Sequence, residues 1–400
     1  MRILLTANAS YVPPRGGATR SNLIWMDQMA AAGHTCRIVC GAGGEGAELR
    51  FHASIAVFAV EDPSRRIQVV RQQICEFQPD WVLVSSEDLG HGLLREARHS
   101  ARGRVVYLAH TPQFYPFGPA SWNPDREGAA LVAEAAGVVA IGHQTADYIA
   151  RSLGREAAVI HPPIYGPGPF ADYGNFASGL VTMINPCAVK GLPIFLEIAA
   201  LLPEIEFGAV PGWGTTSDDR RALERLPNVR FLPNVRNIDD VLARTRVLLM
   251  PSLWYEGFGL IVMESMLRGI PVVASDSGGL LEAKHGTGYV IPVKTIERYE
   301  PVFDEHAMPR PVVPENDPAP WVAALRELLT NRSAYQRESW ASRAAAHIFA
   351  GRLDAAEMER YLTSLCARPD GRPEHATIES LSPEKRALLL ERLRKREAAK

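Results

Sequence analysis

The stretch Leu248–Glu264, LLMPSLWYEGFGLIVME, is the part of this chain that leaves the fewest choices of fold. A short apolar run passes through Pro251, Ser252 and Trp254 into Glu256-Gly257-Phe258-Gly259, and a second apolar run, Leu260–Leu267, carries Glu264. This reads as strand, glycine-bearing turn and helix. Glycines let the backbone approach a ligand closely. The helix that follows aims free N–H groups and the positive end of its dipole at the same spot, which suits a diphosphate. Glu256 stands at the mouth, and Glu264 lies about two turns along the helix. Carboxylates in those places can accept hydrogen bonds from vicinal hydroxyls. Together they suit a sugar nucleotide: phosphates on the backbone N–H groups of Gly257, Phe258, Gly259, Leu260 and Ile261, one acid for the sugar and one for the ribose.

The rest of the chain supplies an α/β frame for that stretch. Four hundred residues predict two or three domains. With 46% hydrophobic and 22% charged residues the composition is that of an ordinary globular protein with sizeable cores. A net charge of −2 implies no general attraction to nucleic acid or anionic lipid. The five cysteines, Cys36, Cys40, Cys75, Cys187 and Cys366, form no C-x-x-C pair or His/Cys cluster, and read as free thiols in a reducing cytoplasm. The opening MRILLTANAS is too short an apolar run for a signal peptide, and no segment approaches the ~20 apolar residues of a membrane span. A cytoplasmic location is the expectation.

In the first half, Arg2–Thr6 is a strand and Thr19–Ala32 a helix, with Gly16 and Gly17 near the helix N-terminus as a second phosphate contact; Arg15 and Arg20 are weaker candidates for the same anion. His34–Cys40 is a strand. Gly41–Gly46 matches G-x-G-x-x-G, but Ala47–Val60 reads as another strand where the dinucleotide fingerprint needs a helix, so a plain glycine loop is expected. The strand Val105–Ala109 ends in His110, followed by an aromatic loop with Tyr115 and Phe117, which either stack on an acceptor or pack the loop. Ligands of open α/β sheets bind beyond the C-terminal strand ends, where His110 stands. Ile164–Gly179, rich in Gly, Pro, Tyr and Phe, is the expected linker, and a new α/β series begins at Leu180. Lys294–Pro320 is expected as an extended surface insertion, and Ser333–Leu365 as mostly helical.

The E-x7-E pattern of Glu256 and Glu264, with EGFGL inside it and GIPVVASDSGG (Gly269–Gly279) after it, resembles retaining glycosyltransferases of the GT-B fold, closest to family four (group 1). The resemblance extends over roughly Met1–Leu365 and is strongest in Val181–Pro292. It implies two Rossmann-like α/β domains facing across a cleft: an acceptor-side domain 1–165, a nucleotide-sugar domain 166–345, and a helix 346–365 that crosses back. It implies catalytic roles for Glu256, His110 and Lys190. Donor contacts are implied at Gly16, Gly17, Asn185, Lys190, Val235, Glu256–Ile261 and Glu264. The loop at Val235 is then placed to read the nucleobase with its backbone. His110 positions the sugar, and Lys190 neutralises the diphosphate. The family's arginine five residues before that lysine is Asn185 here, so one positive charge is missing from the leaving-group site. The expected substrates are a nucleotide-diphosphate sugar and a hydroxyl acceptor such as a glycan, lipid or natural product.

No D-x-D stands at a strand end, since Asp218-Asp219 and Asp239-Asp240 fall in helical or turn contexts, so no metal site and no cofactor are expected. The tail 366–400 ends in an amphipathic helix, 382–396, with Leu388, Leu389 and Leu393 in one stripe, and it resembles short helices at the ends of polyketide synthase and nonribosomal peptide synthetase subunits. It is a candidate contact for a partner protein. The alternatives to a transferase are a nucleotide-sugar epimerase or phosphorylase of the same fold, a degenerate sugar-nucleotide binder, motivated by Asn185, and a dinucleotide enzyme resting on Gly41–Gly46 alone.

Overall fold

The computed structural model describes every residue except 15, 43–48, 236 and 366–400. The chain begins β1 (Arg2–Thr6), α1 (Gly16–Ala31), β2 (Thr35–Cys40), β3 (Leu49–His52), β4 (Ile55–Ala59), α2 (Pro63–Phe77), β5 (Trp81–Ser85), α3 (Gly92–Ser100), β6 (Val105–Ala109), α4 (Arg126–Ala133), β7 (Gly137–Ala140), α5 (His143–Leu153) and β8 (Ala158–Val159). These eight strands form one sheet in the order β3-β4-β2-β1-β5-β6-β7-β8. All pairs are parallel except β3 on β4. Every residue of β5, β6 and β7 is buried, as expected for parallel strands covered by helices on both faces. Ala47–Val60, expected as one strand, holds in its described part a hairpin of β3 and β4; residues 53 and 54 make its turn, and Ala53 takes a positive φ of 50°.

The second half runs β9 (Leu180–Ile184), α6 (Leu192–Leu201), β10 (Phe207–Val210), α7 (Ser217–Glu224), β11 (Val229–Phe231), α8 (Asp239–Leu242), β12 (Thr245–Met250), α9 (Leu260–Leu267), β13 (Val272–Ser275), α10 (Leu280–Lys284) and β14 (Val290–Ile291). Its parallel sheet has the order β11-β10-β9-β12-β13-β14. The proline-rich segment after β14 folds back as an antiparallel pair, β15 (Tyr299–Phe303) with β16 (Pro309–Pro311). A two-stranded ribbon tolerates Pro309 and Pro311 because their missing N–H groups need no third strand. Three helices close the chain: α11 (Ala319–Thr330), α12 (Arg332–Ala350) and α13 (Glu357–Ser364).

Strand order reverses between β1 and β5 in the first sheet and between β9 and β12 in the second. Ligands bind at such switch points, outside the carboxyl ends of the strands. Four loops therefore matter: those after β1, β5, β9 and β12. The largest apolar cluster joins the two units, running from Ile3 and Leu5 of β1 through Leu248, Phe258 and Met263 to Ala346, Met358 and Leu362. The last helix lies on the first sheet, with Glu359 2.8 Å from His34 and the Tyr361 hydroxyl 3.5 Å from the Val138 carbonyl.

Candidate active site

The loops after β9 and β12 are pressed together backbone to backbone. Gly191 has φ 86°, and a Cβ there would lie 1.9 Å from the Pro251 carbonyl oxygen. Leu253 N–H donates to the Val189 carbonyl at 3.0 Å. The result sets Lys190 beside Glu256: Nζ donates to Oε1 at 2.6 Å, and the Ser252 hydroxyl donates to the same oxygen. Both side chains are about one-tenth exposed. The ammonium also lies 4.4 Å from the Trp254 ring centroid, a cation–π contact. A cation and a carboxylate are thus held together at the mouth of α9.

The turn that carries Glu256 has no slack. A Cβ on Gly257 would stand 2.1 Å from the His110 carbonyl oxygen, and one on Gly279 would stand 2.4 Å from the Gly257 carbonyl oxygen. Gly279 N–H donates to the Glu256 carbonyl at 2.8 Å. Gly259, with φ 107°, caps α9 and leaves its first N–H groups facing outward. Phe258 turns its side chain into the core against His161 and Phe349, so only its backbone is left for a ligand.

Across the cleft, Gly16 and Gly17 are the first residues of α1 itself, two or three residues earlier than the expected helix start. A Cβ on Gly17 would be 3.1 Å from the first side chain of α9, Leu260. Two helix N-termini therefore converge on one space. Arg20 of α1 reaches over and donates to Glu264 Oε1 at 2.7 Å. His110 is fully buried. Its Nε2 lies 2.7 Å from Asn22 Oδ1, while Asn22 Nδ2 donates to the Tyr11 hydroxyl at 2.8 Å and to Ser85 Oγ at 3.1 Å. With the amide oxygen facing it, Nε2 carries the imidazole proton and Nδ1 holds a lone pair. Nδ1 has no partner among the described residues. Burial pushes the imidazole pKa down to about 3, so it stays neutral and can accept, not supply, a proton-bearing contact near neutral pH.

Comparison with known proteins fits this geometry. The family described as "Glycosyltransferase Family 4" matches residues 15–165, and the family described as "Glycosyl transferases group 1" matches residues 179–331. The chain belongs to the group 1, family 4 glycosyltransferases. Its fold is GT-B, like that of these glycosyltransferases' solved relatives. The sucrose-phosphate synthase from Thermosynechococcus elongatus aligns with 91% of this chain and 98% of its own, at TM-score 0.71 and 14% identity. Anabaena HepE, solved in complex with UDP-glucose, aligns over the same shares at TM-score 0.64 and 18% identity. A Neurospora crassa alpha-1,3/1,6-mannosyltransferase is 34% identical over 89 residues, 21% of this chain and 19% of that one. The alignment thus spans about a fifth of the curated relative's length.

In this glycosyltransferase, Asn185 does structural work. It has φ 56°, and its Oδ1 accepts from Gly214 N–H at 2.9 Å. A side chain on Gly212 would collide with it, and one on Gly214 would crowd Cys187 Sγ, 2.9 Å from its Cβ. Asn185 therefore shapes the loop after β10, where Trp213 lies against Gly16 across the cleft and 5.8 Å from the Trp254 ring. Val235 packs its side chain on the Leu180–Val210–Leu232–Val241 cluster. Tyr115 and Phe117 are buried against Tyr107 and Tyr148, so they pack the loop and cannot stack on an acceptor. Arg15, most of the Gly41–Gly46 loop and the tail segment 382–396 fall outside the described residues. No group of three metal-ligating side chains occurs among the described residues, and no described helix is long and apolar enough to cross a membrane.

Sequence reading passed over Glu87. It follows β5 at the other side of the N-terminal switch point, and its carboxylate has no hydrogen bond or ion pair to a described residue. Desolvation pushes its pKa up to about 7. The rule that ligands gather at strand ends could have found it. Asn22 and Tyr11, which orient His110, carry no comparable signal: they meet it only in three dimensions.

Proposed function

We propose that the chain moves a hexose from a nucleoside-diphosphate sugar to a hydroxyl acceptor with retention of anomeric configuration. The observation that carries this reading is the Lys190–Glu256 pair at the mouth of α9, faced across the cleft by the N-terminus of α1. The diphosphate lies between the two helix starts, where oriented N–H groups and Lys190 stabilise the charge that develops as the C1–O bond to the β-phosphate breaks. Binding exchanges the internal ion pair for an external ion pair and hydrogen bonds: Lys190 turns to phosphate, and Glu256 accepts from the sugar hydroxyls. His110, neutral, accepts from the sugar at Nδ1. The acceptor oxygen bonds to C1 on the face the phosphate leaves, and its proton passes to a leaving-phosphate oxygen. Among the described residues Glu256 is met by Lys190 and Ser252 rather than by a second carboxylate as a glycosidase pair requires, and the chemistry needs no metal for charge balance if Lys190 and both helix ends act together. Glu264 takes the ribose, and Arg20 is released towards the diphosphate, where it replaces the charge that Asn185 does not provide.

The test is a panel of UDP-, GDP-, ADP- and dTDP-sugars, read by thermal shift and by slow donor hydrolysis. One donor should stabilise the wild type selectively. Hydrolysis should fall by about 10²–10³-fold in Glu256→Ala and in Lys190→Ala. Indifference of the wild type to every donor sinks the reading, and binding with no turnover for any acceptor identifies a degenerate binder.

A further inference from the structure

A cavity of about 380 Å³ lies between the N-terminal unit and the β15–β16 ribbon, lined by Leu89, Gly90, Trp122, Asn123, Phe303 and Pro309. The first four come from the N-terminal unit and the last two from the β15–β16 ribbon, so both units build it. Its volume falls in the range of small-molecule sites. The ribbon wall is fixed: Ser217 N–H and hydroxyl donate to the Glu305 carboxylate at 2.7 and 2.8 Å, and His306 Nε2 lies 3.1 Å from the Thr215 carbonyl. The opposite wall is fixed too, since Asn123 Nδ2 donates to the Leu89 carbonyl at 2.8 Å. Phe303 is nevertheless 62% exposed, an aromatic ring left facing open space.

Packed rings link the recess to the candidate donor site. Trp122 packs on Trp254 at 6.1 Å and on Tyr299 at 5.5 Å, and Trp254 is the ring over which Lys190 sits. From Leu89 the chain runs back through Glu87 to Ser86 and Ser85, whose hydroxyls bond the His110 N–H at 3.0 Å and the Asn22 amide at 3.1 Å. One loop thus connects the recess, an unpartnered carboxylate and the candidate sugar position. Resting on the glycosyltransferase reading, we propose that this recess seats an aromatic ring of the acceptor, with the acceptor hydroxyl directed along the loop toward Glu87 and the Lys190–Glu256 pair.

The lining chooses among acceptor classes. Its polar side-chain groups are the Asn123 amide, one N–H of which is spent on Leu89, and the Trp122 indole N–H, so a sugar in the recess would lose water from its several hydroxyls with few partners in return. Two flat walls, indole and phenyl, reward a planar ring through offset or edge contacts beyond simple area burial, which an alkyl chain cannot collect. The acceptor is therefore a phenol or an aryl-bearing alcohol.

Equilibrium binding to the full chain decides it, with 2-naphthol, 1-octanol and a methyl hexoside as probes, each with and without nucleotide sugar. The expected result is 2-naphthol binding at least tenfold tighter than either other probe, weakened at least tenfold by Phe303→Ala and by Trp122→Ala. Phe303 is exposed on the ribbon, so its variant folds and decides the matter even if Trp122→Ala does not. Equal or tighter binding of octanol or the hexoside, or naphthol binding indifferent to Phe303→Ala, overturns the proposal. In the same samples, donor binding without naphthol binding removes the aromatic site and leaves the glycosyltransferase reading standing. Absence of donor binding removes both.

Discussion

Glu87 and Asn185 show how single side chains divide between chemistry and architecture. Glu87 is an acid whose folded pKa is raised to about 7 from an ordinary 4.5 by desolvation. Below pH 4.5 both folded and unfolded forms hold the proton and there is no penalty. Between 4.5 and 7 the unfolded chain releases it while the folded chain keeps it, so stability falls as pH rises, and above 7 the whole penalty is present. Glu87→Gln should therefore stabilise the protein by about 1–2 kcal/mol at pH 8, after allowance for its partial exposure, and by nothing at pH 4. Denaturant titrations at the two pH values check this; an equal effect at both would mean the carboxylate is not desolvated. Asn185 poses the opposite case. Restoring the family's arginine there should not restore a charge to the site. Arginine loses the bond to Gly214 and sits badly at φ 56°, a conformation asparagine tolerates. Asn185→Arg should cost about 2 kcal/mol of stability and lower donor affinity, read by chemical denaturation and by donor titration. An arginine variant with higher turnover would show that the missing charge, not the loop, limits the enzyme.

At the scale of elements, the parallel strands and the Glu256–Glu264 helix were readable because their patterns are local: short apolar runs, a glycine turn, an acid two turns on. Lys190 was readable because its spacing from β9 is local as well. The reasons for Gly257, Gly278 and Gly279 were not, since they lie in atoms distant along the chain. The His110 carbonyl stands where a Gly257 side chain would be, and the Glu256 backbone stands where a Gly278 side chain would be. The β15–β16 ribbon was missed for a related reason: its prolines mask the strand signal, and its register is set by side chains pinned to α7. Gly257→Ala follows from this. A methyl 2.1 Å from the His110 oxygen must push the loop after β6 away from the turn before α9. The cost should be about 1–3 kcal/mol, as for overpacked cores. The donor KM should rise as well, because the displaced turn is the one that offers N–H groups to phosphate. Unchanged stability and donor KM would mean the two loops separate freely.

Over the whole molecule, one carboxylate ties the halves together. Glu282 of α10 accepts from the backbone N–H groups of His143 and Gln144 at 3.0 and 3.1 Å, capping the first turn of α5 in the other unit. Its Oε1 also lies 2.9 Å from His161 Nε2. Thr145 Oγ1 donates to the Gly257 carbonyl at 2.9 Å and the Tyr255 hydroxyl to the Gln144 carbonyl at 2.9 Å, so α5 is clamped directly onto the turn that holds Glu256. Burial would raise the pKa of Glu282, yet His161 and the two N–H groups outweigh it and hold the pKa below its ordinary value. The clamp is therefore present at neutral pH and is lost as pH falls through that lowered pKa. Glu282→Gln removes the charge while nearly preserving shape. On the proposed mechanism Lys190, Glu256 and the α9 N-terminus hold the donor from the second unit and the α1 N-terminus and His110 from the first, so donor affinity should weaken, and kcat should fall by about tenfold for each 1.4 kcal/mol of clamp lost. Steady-state kinetics with the donor and acceptor varied separately, alongside small-angle scattering, read the two effects apart. A fall in kcat with an enlarged radius of gyration and weakened donor affinity is the expected result. A variant that loses donor affinity at constant radius would place Glu282 in the donor site and deny it the role of clamp.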